Sequence, residues 1–386
     1  MRGARVLVVS HTAIVGGAER SLLRFLAVRP ADLALAVATP EGALADAVRA
    51  LGLPVHVLRG TSGSLRLDPV ETPRALAEMA TMSLQVARAA RAHRAELVHA
   101  NTIRAGLVAV GARAFGAPPC VTHVRDVLPP TLPARVVKLV VRTGSRRSLA
   151  ISGHVARRWA GNAGPDVPVV GELVDCADFV PRPQGPARAA LGLPSRAPVA
   201  AVVAQITPWK GQEVAIRALA AARDEHPDAL LLVVGKTAFV ARATRFDNRS
   251  YERRLHELAT ELGVADAVRF LGAVEDVPGV LAATDVVLAP SWDEPFGLAV
   301  IEAMAMERTV LATSVGGPAE VIGDGIDGHL IDPFDVAAWG LMLSATFSEE
   351  GERRRLGASA RASVLEAHTP ARYAERMRAA YAGAAA

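Results

Sequence analysis

The chain has 386 residues, 51% of them hydrophobic and 21% charged, which is material for two packed domains and excludes a disordered polypeptide. Its two cysteines, Cys120 and Cys176, stand apart with no CxxC and no histidine pair nearby, which excludes a disulfide scaffold and a zinc centre. No apolar run is long enough to span a membrane and the first ten residues carry no cleavage pattern, so a cytoplasmic enzyme without a signal peptide is expected.

Charge is divided unevenly along the chain. Residues 1–190 hold 24 Lys and Arg against 13 Asp and Glu, whereas residues 191–386 hold 19 against 26. A basic first half predicts an acidic counterpart such as an anionic membrane surface or a charged acceptor, or else arginines scattered over solvated faces. No nucleic-acid motif accompanies the charge, and aromatic residues make up only 4% of the chain.

In chain order, short β-branched runs alternate with helical patterns. Strands are expected at Arg5–Ser10, Leu33–Ala38, Val55–Leu58, Leu97–Ala100, Cys120–Val124 and Ala150–Ser152. Helices are expected between them at Ala18–Ala27, Leu44–Leu51, Thr72–Ala92 and Arg104–Phe115. The second half repeats the alternation, with strands at Ala200–Ile206, Leu230–Val234, Val268–Leu271, Val286–Ala289 and Val310–Thr313 and a helix at Gln212–Ala222. Strands separated by helices of this length predict parallel sheets with right-handed crossovers, hence two Rossmann-like doubly wound α/β domains facing across a cleft. The Pro/Gly-rich stretch Pro181–Pro186 marks the break, and the hinge is expected between about Gly171 and Ala187. Residues 1–180 then form an acceptor-side domain, 181–369 a ligand-binding domain, and 370–386 a terminal helix crossing back to the first.

The strongest local signal is the run Ala289-Pro-Ser-Trp-Asp-Glu-Pro-Phe-Gly-Leu-Ala-Val-Ile-Glu-Ala-Met304. A buried strand ends at Pro290, a short loop carries Glu294 and Pro295, and an apolar helix starts near Gly297 with Glu302 about one turn inside it. The backbone N–H groups of Phe296, Gly297 and Leu298 would be first-turn donors at the positive end of a helix, which suits a phosphate.

This Glu-x7-Glu string, with Val315-Gly316-Gly317-Pro318-Ala319-Glu320 and Asp324-Gly325-Ile326-Asp327-Gly328 after it, resembles the family 4 retaining glycosyltransferases of GT-B fold. The resemblance implies transfer of a hexose-like sugar from a nucleotide-diphosphate sugar to a hydroxyl acceptor, with Glu302 on the ribose and Glu294 on the sugar hydroxyls. An epimerase or phosphorylase of the same architecture, or a nucleotide-sugar-binding protein without turnover, stays open as an alternative.

A second element, Val203-Ala-Gln205-Ile-Thr-Pro-Trp-Lys210-Gly211, ends a strand and opens a helix. Lys210 is expected to neutralise the departing diphosphate. Relatives usually carry Arg where this chain has Gln205, so the amide keeps a donor but loses a charge.

Gly16 and Gly17, between the first strand and its helix, either let a ligand approach the backbone closely or make a tight turn. They do not form the Gly-x-Gly-x-x-Gly of dinucleotide dehydrogenases. At the end of the fifth strand, Val121-Thr-His123-Val-Arg125-Asp126 sits where the family often has a His-Asp pair. Alternation puts His123 and Arg125 on one face. They are read either as sugar donor and diphosphate cation, or as a hydrogen-bonded core histidine and a structural Arg125–Asp126 pair. Asn101 and Thr102 are further acceptor-side candidates. No Asp-x-Asp pair ends a strand, so neither a metal nor a cofactor is expected. As a helix, Arg135, Lys138, Arg142 and Arg146 would form a basic stripe able to meet anionic lipid.

Overall fold

The computed structural model describes residues 4–60, 71–161, 167–237 and 246–385. The chain divides into two units, Met1–Leu173 together with Pro370–Ala386 (unit 1) and Val174–Thr369 (unit 2).

Unit 1 begins β1 (Arg5–Val9), α1 (Gly17–Ala27), β2 (Ala34–Pro40), α2 (Ala43–Ala50), β3 (Val55–Leu58) and α3 (Glu71–His93). It continues β4 (Leu97–Ala100), α4 (Ile103–Ala112), β5 (Cys120–Val124), α5 (Leu132–Gly144), β6 (Arg147–Ala150) and α6 (Gly153–Ala160). The strands form one parallel sheet in the order β3-β2-β1-β4-β5-β6. β1 shows why the unit is doubly wound. Its side chains alternate, and both sets are apolar: Val6 and Val8 pack with Leu22 and Phe25 of α1, whereas Leu7 and Val9 pack with Met82 and Val86 of α3.

Unit 2 comprises α7 (Gln184–Ala190), β7 (Val199–Val203), α8 (Gln212–Ala222), β8 (Leu230–Val234), α9 (Asn248–Glu261), β9 (Val268–Gly272) and α10 (Val277–Ala283). It ends with β10 (Val286–Ala289), α11 (Leu298–Ala305), β11 (Thr309–Thr313), α12 (Pro318–Val321), β12 (His329–Ile331), α13 (Val336–Ser348) and α14 (Glu350–Ala367). Its sheet is also parallel and ordered β12-β11-β10-β7-β8-β9. The last helix, α15 (Pro370–Ala385), returns to unit 1 and places Tyr373, Met377 and Tyr381 in its core.

Several boundaries differ from expectation. The division of the chain falls after Leu173, inside the hinge expected between Gly171 and Ala187 but seven residues ahead of the expected domain start at Pro181. The stretch Pro181–Pro186 instead leads into α7, with Pro183 at its N-cap, because proline in a first turn costs no intrahelical hydrogen bond. β6 starts three residues and ends two residues earlier than expected, since Ser152 is already the cap of α6. β7 ends at Val203, and Ile206 makes only an isolated bridge to Thr237. β12, three residues long, carries too short an apolar run to be legible. Arg146 lies beyond the end of α5, so it is not part of a helical stripe.

Candidate active site

Each sheet has the strand order of a doubly wound fold, in which neighbouring central strands send their crossovers to opposite sides and leave a crevice at their carboxyl ends. In unit 2 those strands are β7 and β10. Lys210 follows β7, on a 3-10 turn from Pro208 to Lys210, and Glu294 follows β10. The two candidate residues therefore stand at the switch point, and they touch: Lys210 Nζ lies 2.6 Å from Glu294 Oε2. Ser291 Oγ donates to the same carboxylate oxygen at 2.7 Å, and the Lys210 ammonium sits 4.1 Å above the Trp209 ring. Neither the pairing nor the part of Ser291 is visible in the sequence.

Two glycines set this geometry. Gly211, at φ +72°, packs so tightly on the other loop that a Cβ would stand 2.1 Å from the Pro290 carbonyl oxygen. Beside it Trp292 N–H donates to the Trp209 carbonyl at 2.9 Å. Gly316, at φ +96°, leaves room for a Cβ only 2.1 Å from the Glu294 carbonyl oxygen, and Gly317 N–H donates to that oxygen at 2.7 Å. The loop that carries Glu294 is thus held from the β7 side at Pro290 and Trp292 and from the β11 side at Glu294 itself. Only glycine tolerates both the left-handed φ and the contact.

Gly297 is the N-cap of α11, whose first residue is Leu298. Phe296 is buried, and Pro295 leads into the cap. First-turn amides of a helix have no intrahelical acceptor, so the start of α11 offers donors and the positive dipole end beside Glu294. Glu302 is the fifth residue of α11 and half-buried. The Gln205 carbonyl accepts from Gln212 Nε2 at 2.8 Å, which fixes the end of β7 against α8.

In unit 1 the switch point lies between β1 and β4. Gly16 is the N-cap of α1 in extended conformation, and its N–H donates to the Glu19 carboxylate at 3.2 Å. Gly17 begins the helix. Burial pushes the Glu19 carboxyl up, against the Gly16 hydrogen bond. His11 shares a hydrogen bond of 3.1 Å with Thr102 Oγ1, and burial, then Arg104, holds its pKa down at about 4.

The two strand-end candidates of unit 1 are not exposed to a ligand. Arg125 is buried and its guanidinium is spent: it pairs with Glu172 and donates to Asn101 O at 3.1 Å, to Asn101 Oδ1 at 3.1 Å and to Tyr373 Oη at 3.5 Å. Its partner is Glu172, not Asp126. Burial pushes the Glu172 carboxyl up, and Arg125 and a Ser21 hydroxyl oppose this. The Asn101 side chain is consumed in the same network, also donating to Ala18 O at 3.3 Å. His123 is fully buried, 5.6 Å from the His99 ring, and neither of its ring nitrogens has a hydrogen-bond partner. Burial, then the charges of Arg125 and His99, keeps it far below the usual histidine range. A wholly buried neutral imidazole is no donor to a substrate in this structure.

Two six-stranded parallel sheets with flanking helices, one in each unit, define the GT-B architecture. Solved structures share it. The Anabaena protein Alr3699/HepE, determined with UDP and glucose, superposes with a TM-score of 0.83 at 24% identity, over 98% of this chain and 99% of that one. Sucrose-phosphate synthase from Thermosynechococcus elongatus gives 0.79 at 21%, over 98% of each. At these identities the likeness is one of fold. Residues 184–363 match the family described as glycosyl transferases group 1. Curated relatives include the D-inositol 3-phosphate glycosyltransferases of Salinispora arenicola, 38% identical over 50% of this chain and 45% of the relative, and of Mycolicibacterium smegmatis, 32% identical over 60% and 50%. The chain spans about half the length of the curated relatives it matches.

Proposed function

We propose that the protein is a retaining glycosyltransferase that moves a hexose-like sugar from a nucleotide-diphosphate sugar to a hydroxyl acceptor. The observation that carries this reading is the Lys210–Glu294 pair at the switch point of unit 2, beside the N-terminus of α11. An extended donor laid along this crevice meets Glu302 with its ribose, Lys210 and the α11 amides with its diphosphate, and Glu294 with its sugar hydroxyls. Glycosyl transfer by the curated relatives and the UDP bound to a fold neighbour support the same assignment.

In the reaction the bond from the anomeric carbon to the diphosphate oxygen breaks and a bond to the acceptor oxygen forms on the same face. The acceptor proton passes to the leaving phosphate. Lys210 and the helix dipole stabilise the negative charge that develops there, with Gln205 contributing a neutral donor and no metal ion required. The reaction is placed in the cytoplasm, with unit 1 in weak contact with an anionic membrane.

The test is a titration of nucleoside diphosphates, followed by thermal shift, with wild type and Glu302→Ala. Binding raises apparent stability by mass action. One diphosphate should raise the midpoint in wild type, less in Glu302→Ala, and survive EDTA. Absence of any response to uridine, guanosine, adenosine or thymidine diphosphate would overturn the proposal.

A further inference from the structure

Helix α5 has two apolar faces, and only one of them is used by the fold. Ala134 and Val141 are buried in unit 1. With about 3.6 residues per turn, Leu132, Val136 and Leu139 point the opposite way. They are 72%, 53% and 62% exposed, and Val140 beside them is 39% exposed. An apolar stripe presented to solvent on a helix whose other face already packs is a surface awaiting a partner.

Its flank says which kind. Arg135, Lys138 and Arg142 run along one edge of the stripe, and none pairs with a carboxylate among the described residues. Lys138 Nζ donates to Arg158 O at 2.8 Å and Arg142 to Ala160 O at 2.9 Å, so both cations gather at the C-terminal end of α6. Between α5, α6 and the loop 126–130 at the carboxyl end of β5 lies an open hollow of about 260 Å³. Arg135, Lys138 and Arg158 wall it, Trp159 closes one side, and Asp126 is its one acidic lining residue. Burial, then the neighbouring Arg142 and Arg158, holds the Lys138 ammonium below its ordinary value, as expected where cations outnumber acids.

We infer that α5 is a membrane-docking helix: Leu132, Val136 and Leu139 enter the acyl boundary of an anionic bilayer while the hollow between Arg135, Lys138 and Arg158 seats a phospholipid phosphate. Apolar burial and cation attraction then act on the same surface, the combination that holds an amphipathic helix in an interface. The inference deepens the membrane contact named above and does not depend on the transfer reaction.

The experiment is co-sedimentation of the full chain with phosphatidylglycerol/phosphatidylcholine vesicles and with phosphatidylcholine alone, at low and high salt. Wild type should bind the anionic vesicles, lose most binding at high salt as the Debye length shrinks, and ignore the neutral ones. Val136→Ser/Leu139→Ser and Arg135→Gln/Arg158→Gln should each keep the wild-type melting midpoint, because the replaced side chains lie on the surface. The charge variant should bind roughly thirtyfold more weakly, the worth of two cations at a lipid surface. A parallel arm measures thermal shift with glycerol 3-phosphate. A shift abolished by Arg135→Gln/Arg158→Gln, with no vesicle binding by wild type, would make the hollow a site for a soluble phosphate and overturn the docking role. So would no anionic-vesicle binding at low salt, or folded variants that bind as wild type does.

Discussion

Lys210 and Glu294 neutralise one another across 2.6 Å, and each belongs to a different loop at the switch point of unit 2. An incoming diphosphate therefore competes with Glu294 for the lysine. A sugar hydroxyl in turn can take the carboxylate that the lysine gives up. Glu294→Gln should free the ammonium, so a bare nucleoside diphosphate should bind at least as tightly as to wild type while sugar transfer falls. Lys210→Met should weaken diphosphate binding by roughly 1.5–3 kcal/mol, the worth of a charged hydrogen bond. Calorimetric titration of both variants checks this; tighter binding by Lys210→Met would refute the assignment.

Gly316→Ala tests the clamp on the Glu294 backbone. The added methyl meets the Glu294 carbonyl at 2.1 Å and must adopt φ +96°. A loss of about 1–3 kcal/mol of stability is expected, with a larger loss of diphosphate affinity because the loop carrying Glu294 must shift. Urea unfolding alongside titration separates the two effects.

The Arg125–Glu172 pair in unit 1 should behave as a buried ion pair. Glu172→Gln leaves an uncompensated buried guanidinium and is expected to cost about 3–5 kcal/mol, whereas Arg125→Met/Glu172→Leu should recover much of that. Denaturant melts of wild type and the two variants measure the loss and its recovery. If Arg125 instead served as a substrate cation, Arg125→Met/Glu172→Leu would fold well and lose activity entirely.

Histidine burial predicts an acid-labile unit 1. The pKa of His99 is held down at about 3 and that of His11 at about 4, both mainly by burial, and His123 is lowered by the same cause. Their unfolded forms take up protons near pH 6.5, so below that the unfolded state binds more protons than the native one. Stability is then full above about pH 6.5 and falls as pH drops toward 4, by up to about 1.4 kcal/mol per pH unit for each histidine. His123→Leu removes two unpartnered nitrogens. It should flatten this slope without loss of stability at pH 7, measured by urea melts from pH 7 to 4.5.

What the sequence disclosed follows from how far apart the relevant residues lie. Strands such as Leu230–Val234 are apolar at every position because both faces are covered, and such runs are conspicuous. The Glu294-to-Glu302 string was legible because one strand, loop and helix carry all of it. The partner of Arg125 was not legible for the opposite reason. Its partner Glu172 lies 47 residues away and Tyr373 lies 248 away, and pairs at such separations leave no local pattern. Alternation put His123 and Arg125 on one face. What it does not disclose is that this face is closed, with Tyr381 of α15 lying against His99.

The return of α15 to unit 1 has a consequence for the order in which the protein is made. Unit 2 is encoded as one uninterrupted stretch, entered at Val174 and left at Thr369, and Val174 N–H donates to His368 O at 3.0 Å, so its ends close on each other. All of it is synthesised before Tyr373, Met377 and Tyr381 exist to complete the other core. Domains usually mature from the N-terminus during translation, but here the half made first must wait for α15, which is synthesised after all of unit 2. A stop codon near residue 369 would therefore damage unit 1 more than unit 2, leaving unit 2 whole and unit 1 with an open core.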